Sequence, residues 1–422
     1  MAAPCHLVHV RPEHEETLTD KEGKFTVTKQ KTHKAPFPLY VFLIYFVFYS
    51  GQAIYYTYNN VFLSQNGLSD SMIGMVGSIG TALLFLVQPL WGVLTDRAKY
   101  KNRVTAISML LTALACGAMY LYNAPWYLAL CVVGISLVFN PSLALQDSCA
   151  LEVTEGTGWD FGNVRLGGTL GYMIFVVIVG YLLKDFRSTY LIFAVTSVLT
   201  GVMVWNMKMK PNQTVQKAKR EKKRTDYKAI LRNKALVCII AYNVMYAVTM
   251  TFSRYYSIYY INEMGATGFM LGLFTMTSCI LEIPCFWFAG KIQKKIGVMN
   301  TLTFAAFTMI AKFALLALVK NNWAAVIVNL LGGCVYPLFH FCILNQINEN
   351  VPVNMRATSQ STCAMLSSIL SSIVFAPLAG LCSDFLGCPA TLLIGAAVMT
   401  VSTVVFRLVY RKAAPGTAAA AG

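Results

Sequence analysis

Charge is what this chain has least of. Asp, Glu, Lys and Arg make up 12% of its 422 residues and hydrophobic side chains 56%, where a water-soluble domain carries about a quarter and about a half. That balance belongs to a membrane protein, and so much apolar surface excludes disorder, collagen and a small disulfide scaffold. Acidic residues are scarcer still, 18 against 34 basic ones, giving a formal charge of +16. The 12 cysteines form no CxxC pair and no His lies at zinc spacing from them. Cys116, Cys131, Cys149, Cys238, Cys279, Cys285, Cys334, Cys342 and Cys363 sit inside apolar runs and read as small packing residues. Cys382 and Cys388 flank a short loop and could bridge in an oxidising compartment, although packing is the favoured reading there too. No Walker loop, nucleophile elbow or metal-ligand cluster is present, so neither an enzyme nor a cofactor or metal is expected. The first 36 residues contain no basic segment leading into an apolar one, so no cleavable signal is expected.

Long apolar runs are abundant. A bilayer core about 30 Å thick takes about 20 apolar residues as a helix, and the pattern recurs at 37–63, 72–94, 104–122, 126–153, 162–183, 189–207, 235–261, 269–288, 301–319, 323–347, 357–381 and 390–409. The expected fold class is an all-α membrane protein of twelve transmembrane helices in two pseudo-symmetric six-helix bundles. Its parts would be an N-terminal tail (1–36), an N-terminal bundle (37–207), a basic linker (208–234), a C-terminal bundle (235–410) and a C-terminal tail (411–422). With the N-terminus placed inside, 28 of the 34 basic residues fall on one face, and only Lys184, Arg187 and Lys320 on the other. Lys and Arg concentrate in cytoplasmic loops, so both termini are expected in the cytoplasm. The KAKREKKR run at 217–224 then reads as a linker facing anionic lipid, not as a nucleic-acid site. The sequon at Asn212 falls in the same linker and is expected to stay unmodified.

The two halves look like copies. A shift of 198 residues superposes Gly67 on Gly265, Gly74 on Gly272 and Gly92 on Gly290 without a gap. Transporters are commonly built from such repeats, with the solute site at the midplane between them and access alternating as the halves rock.

The loop after the second span reads Gly92-Val-Leu-Thr-Asp96-Arg97-Ala-Lys-Tyr-Lys101-Asn-Arg103, with a degenerate second copy from Gly290 to Gly297. From residue 37 to 410 the chain resembles the major facilitator superfamily, whose mark is G-x-L-x-D-R-x-G-R-K/R at this loop. In that family the loop is a gating motif: Gly92 would let two helices approach closely, while Asp96 would cap a neighbouring helix and pair with a base such as Arg97 or Arg103. A narrower resemblance runs through Phe161-Gly-Asn-Val-Arg165-Leu-Gly-Gly-Thr-Leu-Gly171-Tyr172. It is similar to the lactose permease, oligosaccharide, nucleoside and phenylpropionate proton symporter branch, whose fifth span opens F-G-x-x-R-x-x-G-x-x-G-[WY]. Asp147 and Lys312 fall at the offsets where that branch carries an essential acid and a coupling base. Glu282-Ile-Pro, His340 and the 351–360 segment look like the same branch. The resemblance implies that Asp147 and Arg165 hold solute hydroxyls and that Tyr172 stacks on the solute ring. The branch has arginine where this chain has Lys312, and its tenth-span histidine–glutamate pair is not reproduced, since Ile343 follows His340 by three residues.

Ionisable groups inside hydrocarbon cost several kcal/mol and are functional candidates by default. Arg165 and Tyr172 lie two turns apart on one helical face, and Asn140 shares a stripe with Asp147. Their bland alternative is an ion pair that joins two helices and touches no solute. Gln52, Tyr55, Tyr56 and Asn59 make a polar stripe in the first span, suited either to a hydroxylated solute or to helix-to-helix hydrogen bonding. Arg254 is the matching candidate in the seventh span. Proton coupling needs a buried acid modulated by a movable cation, for which Glu282 is the candidate with Lys312 and His340 as its partners. Glu152, Glu155 and Glu349 are expected in gating contacts with Arg97, Arg103 or Arg356. Gly167, Gly168 and Gly171 read as close helix packing rather than a phosphate loop.

The function these readings converge on is proton-coupled symport of a small polar organic solute, a sugar or oligosaccharide, by alternating access in a bacterial inner membrane. The partners are the solute, protons and the bilayer, the proton gradient stands in place of a cofactor, and the unit is a monomer. A nucleoside or aromatic-acid symporter, or proton-driven efflux, is the alternative.

Overall fold

The computed structural model describes residues 36–155, 157–183, 185–211, 233–352 and 355–413. The expected N-terminal tail, most of the linker, most of the C-terminal tail and Lys184 lie outside the described residues. Within them the chain forms twelve long helical rods: α1 Leu39–Gln65, α2 Asp70–Arg97, α3 Lys101–Ala118, α4 Pro125–Thr154, α5 Phe161–Leu182, α6 Ser188–Trp205, α7 Lys234–Asn262, α8 Gly268–Ile296, α9 Val298–Leu318, α10 Asn322–Asn350, α11 Thr358–Leu386 and α12 Cys388–Ala413. Eleven are long and apolar enough to cross a bilayer; α3 falls short of that mark, because Lys101, Asn102 and Arg103 occupy its first turn. It packs between α4 and α6 as a member of the N-terminal bundle.

The repeat is visible in backbone detail. Gly67 and Gly265, which coincide under the 198-residue shift, both adopt the left-handed conformation, at φ +89° and +66°. Such a turn favours glycine because it has no Cβ. Two residues later Ser69 caps α2 by accepting the Met72 N–H, and Thr267 caps α8 by accepting the Met270 N–H, both at 3.3 Å. A hydroxyl at that place satisfies one of the amides a helix start leaves open.

The halves meet along two seams built alike. In one, α8 lies against α5: a Cβ on Gly272 would strike the carbonyl of Val176, and one on Gly180 the carbonyl of Gly268. In the other, α2 lies against α11: a Cβ on Gly74 would strike the carbonyl of Ala376, and one on Gly380 the carbonyl of Asp70. A tyrosine locks one carbonyl in each seam, Tyr58 donating to Val176 at 2.8 Å and Tyr255 to Ala376 at 2.6 Å. Both seams lie at the face where α2 and α8 begin, opposite the face that carries the linker. Further hydrogen bonds join the halves there, Ser78 to the Ser372 carbonyl at 2.8 Å and Asn262 to Ser64 at 3.2 Å. Asp384 at the end of α11 accepts the Asp70 and Ser71 amides at 2.9 and 3.0 Å, an anion seated on the N-terminus of α2.

Toward the linker face α2 parts from these neighbours. Leu90, Val93, Leu94, Asp96 and Arg97 are exposed, and a Cβ on Gly92 would find nothing within 4 Å. The close approach expected at Gly92 is therefore not made in this conformation. Glu152 likewise pairs with Lys101, at 3.1 Å, rather than with Arg97 or Arg103. The Arg103 guanidinium lies over the Tyr100 and Trp205 rings at 5.2 and 5.0 Å. Arg356 bonds the Asn348 carbonyl at 3.0 Å, and Glu349 accepts from Gln346 at 2.6 Å. The expected glycine packing of α5 does appear: Cβ atoms on Gly167 and Gly171 would strike the Phe42 and Phe46 carbonyls of α1. All described cysteines, Cys382 and Cys388 included, are free thiols.

Candidate functional site

Two layers of polar side chains lie between the seams and the linker face. The lower one is built by α1, α4 and α5, where the Tyr45 hydroxyl donates to Asp147 at 2.6 Å and the Arg165 guanidinium sits 4.7 Å from the centre of the Tyr49 ring. Asp147 and Arg165 both act electrostatically on Tyr45, so the expected pair does converge, around a tyrosine that sequence reasoning passed over. Tyr45, Tyr49, Gln52 and Tyr56 recur at three- and four-residue intervals along α1, and that periodicity was the available signal.

Across the interface, Glu282 of α8 interacts electrostatically with Arg165 and with the Tyr172 hydroxyl of α5. Tyr172 also has Thr57, Tyr56 and Cys279 as neighbours. An acid from one half thus lies within electrostatic reach of a base and a phenol from the other, although among the described residues it forms no ion pair or hydrogen bond with either. Lys312 and His340 are not part of that group. The Lys312 amine lies beside Gly332 and Ser278, behind α8, and His340 stacks on Tyr336 with ring centres 5.1 Å apart. Among the described residues neither shares a hydrogen bond or ion pair with Glu282, and the imidazole Nε2 is buried without a partner.

The upper layer contains Tyr56, Asn140 and Arg254. Tyr56 donates to the Asn140 side-chain oxygen at 2.7 Å, joining α1 to α4. Arg254 lies in the turn 252–255 that interrupts α7, and a Cβ built on Gly77 of α2 would be 3.6 Å from one of its terminal nitrogens.

The polar stripe of α1 is divided by its neighbours. Tyr56 remains on the interface, but Tyr55 is buried among Phe139, Phe193 and Tyr190, stacked on Phe193 at 4.9 Å. Asn59 accepts the Tyr190 hydroxyl of α6 at 2.6 Å, and Gln52 is buried at 4% exposure. Helix-to-helix bonding accounts for Asn59, and aromatic packing for Tyr55.

A model of the MFS_1 like family matches residues 40–406, nearly the whole helical body. The chain belongs to that family of major facilitator transporters. It is a multi-pass membrane transporter for a small-molecule solute and not an enzyme. It is 24% identical over 331 residues to the maltose permease of Geobacillus stearothermophilus, covering 77% of this chain and 82% of the permease. Identity to the probable 3-phenylpropionic acid transporter of Escherichia coli (strain K12) is 23% over 346 residues, 79% of this chain and 88% of that one. The crystal structure of the nucleoside transporter NupG superposes with a TM-score of 0.77 at 16% identity, covering 88% of this chain and 98% of that one. The major facilitator fold of the transporter, with its two six-helix bundles, agrees with that superposition.

Proposed function

We propose that this transporter is a proton-driven symporter that imports a small hydroxylated solute, a sugar or short oligosaccharide, by alternating access. The observation that carries this reading is Glu282 of the C-terminal half set against Arg165 and Tyr172 of the N-terminal half. An acid that exchanges an arginine partner for a proton when the halves separate couples proton movement to rocking with no further machinery. Asp147, Arg165, Tyr172 and Asn140 supply the hydrogen bonds and the ring face that a sugar-sized molecule needs. The maltose permease relative favours the same class. Lys312 and His340 act on coupling, if at all, through the packing of α8 and α10, because neither meets Glu282 in this conformation.

The distribution of Lys and Arg favours the linker face and both termini on the cytoplasmic side, and the bacterial relatives favour an inner membrane. The two seams then close the external side, and the splayed end of α2 opens the cytoplasmic one. Each bundle completes the other's site, so one chain suffices as the working unit. The Asp96 loop would re-form as a latch when the halves rock the other way.

The reading is tested in proteoliposomes under an inward proton gradient. Wild-type protein should accumulate a sugar above equilibrium, while Glu282→Gln should equilibrate it without accumulation. If neither a sugar nor a sugar acid accumulates, or if Glu282→Gln accumulates it as well as wild type, the proposal fails.

A further inference from the structure

The charged side chains between the two halves are not equally provided for. Asp147 accepts the hydrogen bond of the Tyr45 hydroxyl, Arg165 lies over the Tyr49 ring, and Glu282 lies within electrostatic reach of Arg165. Lys312 has no acid beside it but is set back within the C-terminal half, against Gly332 and Ser278. Arg254 differs from all of these. It projects from the C-terminal half to α2 and α1 of the N-terminal half, and among the described residues its guanidinium makes no hydrogen bond or ion pair. The groups that act on it are two phenols, Tyr255 and Tyr56, and both have their protons committed, Tyr255 to the Ala376 carbonyl and Tyr56 to Asn140.

What this place lacks is an acceptor of negative charge for a planar, five-donor cation. The Asn140 oxygen is occupied by Tyr56. Gly77 of α2 lies beside the guanidinium, a Cβ built on it falling 3.6 Å from a terminal nitrogen. A cation flanked only by neutral phenols is complementary to a carboxylate, which Arg holds through two parallel hydrogen bonds. A neutral sugar would leave that charge without a counter-ion.

Resting on the symport reading above, we infer that the solute is a sugar acid whose carboxylate pairs with Arg254, while its hydroxyls meet Asp147, Arg165 and Asn140. The charge arithmetic carries a second consequence. One proton entering with one monoanion moves no net charge, so transport is electroneutral, whereas one proton with a neutral sugar is electrogenic.

The test uses the full chain in proteoliposomes under an inward proton gradient, with D-glucuronate, D-galacturonate and D-gluconate set against D-glucose and D-galactose. The expected result is accumulation of at least one acid, at least about tenfold above its neutral counterpart, because a site built to hold a charged group rejects the analogue that lacks it. Its rate should not change when a potassium diffusion potential is imposed. Arg254→Gln should lose acid uptake by at least about tenfold and Arg254→Lys by less, since a point charge keeps attraction but not the two-bond geometry. The comparison between acids and neutral sugars on wild-type protein stands even if a variant at this turn does not fold. Accumulation of a neutral sugar while the matched acid neither accumulates nor competes would overturn the sugar acid and leave the symport reading in place. If neither class accumulates, both are overturned. Acid uptake that persists unchanged in a folded Arg254→Gln protein, or that follows membrane potential, also overturns the inference.

Discussion

The two halves began as copies but do not fold alike where it matters. In the N-terminal half α1, α4 and α5 run without interruption through 27, 30 and 22 residues. Their counterparts in the C-terminal half are all broken: α7 by the turn 252–255, α10 between Asn329 and Gly332, and α11 by the π-helical segment Ile369–Phe375. Open backbone inside a membrane is tolerated only where protein or a water-lined cavity satisfies it, and a π segment adds a residue that re-aims a helix. The offset between the halves drifts accordingly, from 198 at Gly74 and Gly272 to 200 at Gly180 and Gly380. The difference assigns roles. The N-terminal half is the stiff partner presenting Asp147 and Arg165 on whole helices, and the C-terminal half is the one whose backbone can bend.

The comparison breaks most decisively at the seams, which are its symmetric part. Gly180→Val and Gly380→Val should each abolish uptake, by at least about tenfold, since a branched side chain meets backbone that cannot retreat without cost. Uptake assays on both variants check this, and retention of activity by one would show that the seams are not equivalent. Within the helices, Gly333→Ala on α10 would press on the Ser278 carbonyl, whereas a Cβ on Gly134 of α4 meets nothing within 4 Å. We expect Gly333→Ala to cost about 1–3 kcal/mol from overpacking and Gly134→Ala to be neutral or stabilising by up to about 1 kcal/mol, as read by thermal unfolding in detergent. Asp384→Asn removes the anion from the α2 N-terminus, a loss of about 1 kcal/mol that should raise the population open at that face about fivefold. Labelling of a cysteine placed at Gly77 would measure it. No effect on transport is expected from Tyr190→Phe, which deletes the bond to Asn59. It should cost about 1 kcal/mol of stability and leave solute selectivity unchanged, because Asn59 faces α6 rather than the other half.

Much of this was legible in advance. The helix positions agree with the apolar runs to within a few residues except at α8, which continues to Ile296 because a helix can project past the bilayer on Lys291, Lys294 and Lys295. The glycines of α5 follow from spacing along one helical face, and the Asp147–Arg165 convergence was implied by the family resemblance. What spacing could not reveal was which neighbour claims each polar side chain. Tyr55 and Asn59 look like partners of Tyr56 on a helical wheel, yet a 100° step separates successive residues, and α6 offers Phe193 and Tyr190 on that side. Lys312 and His340 were grouped with Glu282 by family offsets, while the rods that carry them place one behind α8 and the other against Tyr336.

By itself the sequence determined a twelve-span chain made of two copies, with its charge sorted to one face, because bilayer thickness and the rejection of charge act on each segment separately. Only the tertiary structure decided that Glu282 comes within electrostatic reach of Arg165 and that Arg254 lies against α1 and α2 without a counter-charge among the described residues. Those are relations between helices from different halves. They depend on where α7 breaks and on how closely glycine lets α5 approach α8, and no periodicity within one helix encodes either.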